Sequence, residues 1–436
     1  MKISKLHIDS FRHLENLDFD FTYPEDFHDE AKRGKPLDKI CFIGQSATGK
    51  TGLLELIYET IEYLNELEVT NNKFVYDKKD QFKPFNGNLE LYFNNENLIY
   101  SHNNISFNNF DYKYGFESGV ITKLLTKLYN RNMYFFKSNL ISDLNIDIFS
   151  TNPIDLLEKF NSIIFDFKRL LKNNHSIQKS SIIFNDSVES NTWIFMLTEI
   201  LDYRKNFTQK MSELIHKGLL ANQSKLQSEF NLWQKENPNT LEIFAQKFNP
   251  ILEKLNLEVD IVNTEYVIPI KNKKNDKVIP IQNTSTGTKG LLLSFLPLFK
   301  LDTKDAIILI DEPERSLYPD MQMDLMEYYQ NLAPEAQFIV ATHSPFVAAS
   351  FEPEERFILY FDEDGKVAVR RGSSPIGDDP NDILKNDFGI NYYNKYGEEA
   401  YKKYIKLKEE VAKESDPARK RKLLLETVKL GDTYNF

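Results

Sequence analysis

The stretch GQSATGKT, residues 44–51, narrows the folds open to this chain more than any other feature of it. It fits G-x-x-x-x-G-K-[ST] in full. The apolar run KICFIG precedes it, and KTGLLELIYETIEYLNELE follows with Leu53, Leu56, Ile57, Ile61 and Leu64 on one helical face. A buried strand, a tight turn and a helix, in that order, aim main-chain N–H groups at an anion on the helix amino terminus. Gly44 and Gly49 let the backbone wrap close to phosphate, with Gln45, Ala47 and Thr48 between them. In this pattern Lys50 would reach the β- and γ-phosphates, and the Thr51 hydroxyl would ligate Mg2+.

Later strands repeat the theme. AIILID (306–311), QFIVAT (337–342) and RFILYF (356–361) alternate with helices at 291–300 and about 319–332, which predicts an α/β core with a parallel sheet. Two short strands within residues 2–21 and an aromatic- and Asn-rich meander at 86–117 accompany it. Residues 119–257 read as mostly helical. A long helix is expected from about Thr192 to Lys235, then a break at ENPNT (236–240) and a second, antiparallel helix, together a short hairpin. Short strands return in LEVDIV, YVIPI and KVIPI. The expected division is residues 1–118 and 258–362 as two parts of one nucleotide-binding head, 119–257 as a mainly helical insertion, and 363–436 as a charged helical tail.

Asp311 and Glu312 end the strand AIILID. An acidic pair at the carboxyl end of a parallel strand stands where ligands bind and is costly to bury without cations or water. Asp311 suits Mg2+, and Glu312 suits polarising an attacking water. His343, just after the next buried strand, stands where a γ-phosphate sensor belongs. NTSTGTKG (283–290) supplies small polar residues at the start of an apolar helix, with a hydroxyl at Ser285 and a glycine N–H at Gly287.

Together these motifs resemble the ATP-binding cassette (ABC) ATPases, a P-loop ATPase head with a mixed or parallel sheet. The resemblance implies ATP and Mg2+ as ligands. It also implies a signature segment that caps the γ-phosphate of ATP bound to another copy. Ser285 and Gly287 match the serine and second glycine of that signature, whereas Thr284, Thr286 and Thr288 depart from it. RSLYPD resembles the family's D-loop, with Ser316 and Leu317 meeting the opposite subunit. Heads would then pair around ATP, as a head-to-head dimer or higher oligomer. The family's glutamine loop has no match: Gln81 comes too early, and NMYFFKSNL (132–140) has the strand-then-polar shape without a glutamine.

The opening ISKLHIDSFRHLENLDFDF and a signature roughly 235 residues beyond the phosphate loop resemble the RecF/SMC/Rad50/OLD-like branch rather than transporter cassettes. The insertion is too short for long coiled-coil arms, and the 93 residues after His343 are too few for an OLD-type nuclease domain. GDDPND (377–382) reads as helix capping rather than a metal site. A compact head without an effector of its own resembles the ATPase subunits of bacterial anti-phage systems such as PARIS, Septu and retron-associated modules. That likeness implies a sensor or scaffold controlling a separate effector protein encoded nearby. The alternative is a RecF-like protein that binds double-stranded DNA in repair or maintenance. A formal charge of −11 argues against a surface coated in basic groups, and one cysteine, Cys41, excludes a disulfide framework. No apolar run reaches the ~18–20 residues of a membrane span, and the amino terminus lacks a signal-peptide core. The expectation is a cytoplasmic ATPase without a membrane partner.

Overall fold

The computed structural model describes residues 1–66, 68–70, 73–75, 85–93, 96–101, 104–107, 110–113, 132–160, 181–390, 395–434 and 436. Its elements begin with β1 (Lys2–Phe11), β2 (Leu14–Asp20), β3 (Lys39–Gly44) and α1 (Lys50–Glu66). A two-stranded ribbon, β4 (Glu68–Thr70) and β5 (Lys73–Val75), precedes the meander β6 (Asn86–Phe93), β7 (Glu96–Ser101), β8 (Asn104–Phe107) and β9 (Phe110–Lys113). Next come β10 (Met133–Phe136), α2 (Asp143–Ser150), α3 (Pro153–Lys159), β11 (Ser181–Phe184), α4 (Ser190–His216), α5 (Gln223–Glu236) and α6 (Thr240–Leu252). The strands β12 (Leu257–Val259), β13 (Ile270–Asn272) and β14 (Val278–Ile279) form a small antiparallel sheet before α7 (Thr286–Lys300). The chain continues through β15 (Ile307–Asp311), α8 (Pro319–Leu332), β16 (Gln337–Ala341), α9 (Pro345–Ala348), β17 (Arg356–Phe361) and β18 (Val367–Arg371). It ends with α10 (Pro380–Asn386), α11 (Lys395–Lys413) and α12 (Pro417–Tyr434).

Seven strands form the central sheet in the order β11-β10-β15-β16-β3-β17-β18, parallel throughout except for β18. Both faces are buried, so side-chain alternation divides each strand between two cores. Ile40, Phe42, Met133, Phe135, Ile307 and Leu309 face α1 and the antiparallel sheet β2-β1-β6-β7-β8-β9. Cys41, Ile43, Tyr134, Phe136, Ile308 and Ile310 face α4, α6, α7 and α8. Fully burying one such side chain contributes roughly 1.5–3 kcal/mol. This is why the central strands read as unbroken apolar runs.

The mostly helical reading of 119–257 needs two corrections. MYFF (β10) and SIIF (β11) are strands of the central sheet, each paired in parallel, with Phe136 stacked on Phe184 at 4.8 Å. The expected long helix also breaks at Gly218, which adopts φ 70°. Its halves are α4 and α5, and Tyr203 and Phe207 on the first pack against Trp233 and Phe230 on the second. A hairpin turn therefore lies at Gly218, and the expected break at 236–240 is present as well, where α5 ends at Glu236 and Asn239 caps α6. The 118/119 boundary, Gln81 and the helical reading of 161–180 lie outside the described residues. GDDPND behaves as a cap: the Asp379 carboxylate accepts from the Asn381 N–H at the start of α10. Among the described residues no helix is long and apolar enough to cross a membrane.

Candidate functional site

Gly44 closes β3 with φ 142°, and a Cβ there would stand 2.0 Å from the Leu359 carbonyl oxygen on β17. Only glycine fits that turn out of the sheet. Ala47 at φ 65° and Gly49 at φ 92° then curl the loop into α1, the kind of nest that turns successive N–H groups inward. The Thr48 hydroxyl donates to the Gln45 carbonyl at 2.8 Å and fastens the loop across its base. Lys50 is buried, with its Nζ donating to the carbonyls of Gly44 and Gln45, both at 2.9 Å. Burial pulls its pKa down to about 8, against the opposing pull of Asp311, Glu312 and Glu314. The β1–β2 turn packs on the loop: a Cβ on Gly49 would meet Leu14 at 2.9 Å and His13 at 3.2 Å.

The register β15–β16–β3 brings the carboxyl ends of three parallel strands together, where open α/β sheets bind ligands. Across that edge the Thr51 hydroxyl lies 3.0 and 3.2 Å from the two carboxylate oxygens of Asp311. Asp311 is itself buried, which raises its pKa. The Thr51 and Ser138 hydroxyls pull it down, and Glu312 pushes it up. A hydroxyl and a carboxylate in contact are hard oxygen donors, a set that suits Mg2+. Glu312 turns out of the strand at φ 51° and donates its N–H to the Ala341 carbonyl at 2.8 Å.

His343 follows β16 and is exposed. Partial burial of the ring and the Lys50 charge lower its pKa while Glu312 raises it, so the net shift favours neutral imidazole. Its backbone N–H donates to Glu314 Oε1 at 2.9 Å. Ser138, Lys137 and Glu314 were not in the sequence reading of this site. Lys137 pairs with Glu55 of α1 at 2.9 Å, and Arg315 donates to the Ser138 carbonyl at 2.6 Å. The loop after β10 therefore stands beside Asp311 without a glutamine. The strand-then-polar shape of NMYFFKSNL was its only signal.

The run at 283–290 is folded more locally than expected. α7 starts at Thr286, five residues before the expected position, with Ser285 as its cap: Oγ accepts from the Thr288 N–H at 3.1 Å and bonds the Thr288 hydroxyl at 2.8 Å. Ser285 and Thr286 are exposed, whereas Gly287 is buried against the D-loop-like turn. A Cβ on Gly287 would stand 2.5 Å from the Ser316 carbonyl oxygen and 2.9 Å from Leu317 Cδ2. Leu317 itself is only 9% exposed and packs in this chain's core, whereas Tyr318 beside it is 73% exposed. Gly44–Thr51, Asp311, Glu312 and His343 thus gather at one sheet edge, and Ser285–Gly287 abut the turn that follows Glu312.

A buried lysine within a nest of N–H groups and an adjoining hydroxyl–carboxylate pair fit a nucleoside triphosphate with its metal. Septu protein PtuA of Bacillus thuringiensis is 35% identical over 72 residues, 16% of this chain and 18% of that protein. Retron Vc95 probable ATPase of Vibrio cholerae serotype O1 biovar El Tor is 24% identical over 203 residues, 46% of this chain and 39% of that one. The matches thus span well under half of either relative. Among solved structures, an Smc head bound to the C-winged helix domain of ScpA aligns with TM-score 0.42 and 15% identity, over 86% of this chain and 98% of that one. The SMC head domain from Thermotoga maritima aligns with TM-score 0.40 and 10% identity, over 86% and 100%. The model of the AAA ATPase domain matches residues 1–348, so the chain belongs to the AAA ATPase domain family and carries an ATPase head.

Proposed function

We propose that two copies of this protein pair head to head around ATP, hydrolyse it, and use that cycle to control a separate effector protein in bacterial anti-phage defence. The observation that carries the ATPase reading is the Thr51–Asp311 contact beside the buried Lys50, which joins two motifs 260 residues apart. In this reading Lys50 neutralises the β- and γ-phosphates, and Glu312 takes a proton from the attacking water. The neutral His343 imidazole offers its N–H to a γ-phosphate oxygen. Thr51 and Asp311 would hold Mg2+, which when bound neutralises phosphate charge.

Pairing is supported by the exposure of Ser285 at a helix amino terminus, whose N–H groups favour an anion. The defence role rests on the likeness to the Septu and retron proteins. The test is the mass in solution of Glu312→Gln protein with and without Mg·ATP, beside the Glu312→Gln, Ser285→Arg double variant. An ATP-dependent increase lost in the double variant supports the shared site. A constant mass that ignores both ATP and Ser285 overturns it, and assembly then rests on other surfaces.

A further inference from the structure

Glu314 is a carboxylate that the hydrolytic scheme does not use. It lies two residues beyond Glu312, and burial raises its pKa, with backbone N–H groups such as that of His343 pulling it back. Its Oε1 accepts the His343 backbone N–H at 2.9 Å and the Thr342 hydroxyl also bonds the carboxylate, while Oε2 is buried without a hydrogen-bond partner among the described residues. A buried carboxylate with one unmet oxygen is unfavourable, and an apolar residue there would remove that penalty. On the other side of His343, the Ser344 hydroxyl donates to Gln322 Oε1 at 2.5 Å, and Gln322 Nε2 donates to the Leu317 carbonyl at 2.7 Å. The turn 312–317 and the residues after β16 are therefore joined at Glu314 and again through Gln322.

We propose that Glu314 is a positioning residue that acts through His343, fixing the backbone from which the imidazole reaches the γ-phosphate. The inference rests on the ATPase reading, which gives His343 its role. Gln322 braces the same segment through Ser344, so the histidine is held from both flanks and moves with the turn under Gly287. Glu314 needs to accept a hydrogen bond and does not need to carry a charge.

The experiment uses full-length protein and two readouts. In Mg·ATP hydrolysis, Glu314→Ala should lower kcat roughly 10- to 100-fold with KM little changed, as misplacement of a reacting group does. Glu314→Gln, which keeps the acceptor, should recover most of the rate. In a His343→Ala background, adding Glu314→Ala should cost nothing further, because residues acting as one unit are not additive. An equal loss in that background, or a Gln variant as impaired as Ala, overturns the proposal. Hydrogen–deuterium exchange across residues 340–346 reads the same tie without turnover. Glu314→Ala should speed exchange at residue 343 and Glu314→Gln should not; unchanged exchange in the Ala variant also overturns it. If the unaltered protein does not hydrolyse ATP, the ATPase reading falls, while the exchange result still decides whether Glu314 holds residue 343.

Discussion

Lys50 shows how one side chain sets both binding and pH behaviour. Its pKa in the folded chain, about 8, lies below its ordinary 10.5. Between those values the unfolded chain holds a proton that the folded one has lost, so this group's contribution to stability rises with pH there. Phosphate binding needs the ammonium and runs the other way. ADP affinity measured calorimetrically should therefore fall as pH rises through about 8, and a pH-independent affinity would detach Lys50 from the phosphates. Glu312→Gln should leave ATP binding intact and slow turnover by about 10²–10⁴-fold, the usual worth of a general base. These residues were legible in the sequence because each chemistry is confined to a few residue types at fixed spacing. Glu314 and Ser138 were not, because their roles come from contacts across 29 residues and across the sheet.

At the scale of elements, two joints hold together the segments around the site. Gly287 lets the start of α7 touch the turn at Ser316. Gly287→Ala should fold yet lose ATP-dependent pairing in a sizing experiment. Gly290→Ala, whose Cβ would meet only the Ile141 side chain at 3.3 Å, should keep it. The second joint is Asn145, fully buried on α2. Its Nδ2 donates to the carbonyls of Leu140 and Asn185 at 2.7 and 2.8 Å, and its Oδ1 accepts from the Trp193 indole at 3.0 Å. It thus ties the loop beside Asp311 to α4. Asn145→Leu strands these buried groups and should cost about 2–5 kcal/mol, read from Trp193 fluorescence during urea unfolding. Helix and strand types around the motifs followed from periodicity. β10 showed only as the strand-then-polar shape of NMYFFKSNL and β11 escaped, because four-residue runs have no period to read, and the Gly218 turn hid inside a continuous helical pattern.

Over the whole molecule, a buried ion pair fastens the segment after β18 to the head. Arg356 Nε lies 3.1 Å from Asp387 Oδ2 with both side chains fully buried, and Ser373 donates its N–H and hydroxyl to Asp387 Oδ1 at 2.9 Å. Asp387→Ala leaves Arg356 buried and uncompensated, and urea titration should show a loss of about 3–5 kcal/mol. Arg356→Met combined with Asp387→Leu should recover much of it, since the pair's strength is largely offset by its desolvation. Beyond it, α11 and α12 pack on each other through Tyr401, Tyr404 and Phe436, with the basic run Arg419–Lys422 exposed.

The sequence by itself determined the phosphate loop, the acidic strand end and the α/β class, because phosphate binding and two-sided burial dictate residue types locally. Tertiary structure alone decided that β10 and β11 complete the sheet and that a serine stands beside Asp311. It also decided that Gly287 serves a backbone contact within its own chain. Those outcomes depend on which distant segments meet, and a side chain's partner across a sheet leaves no trace in the spacing of its neighbours.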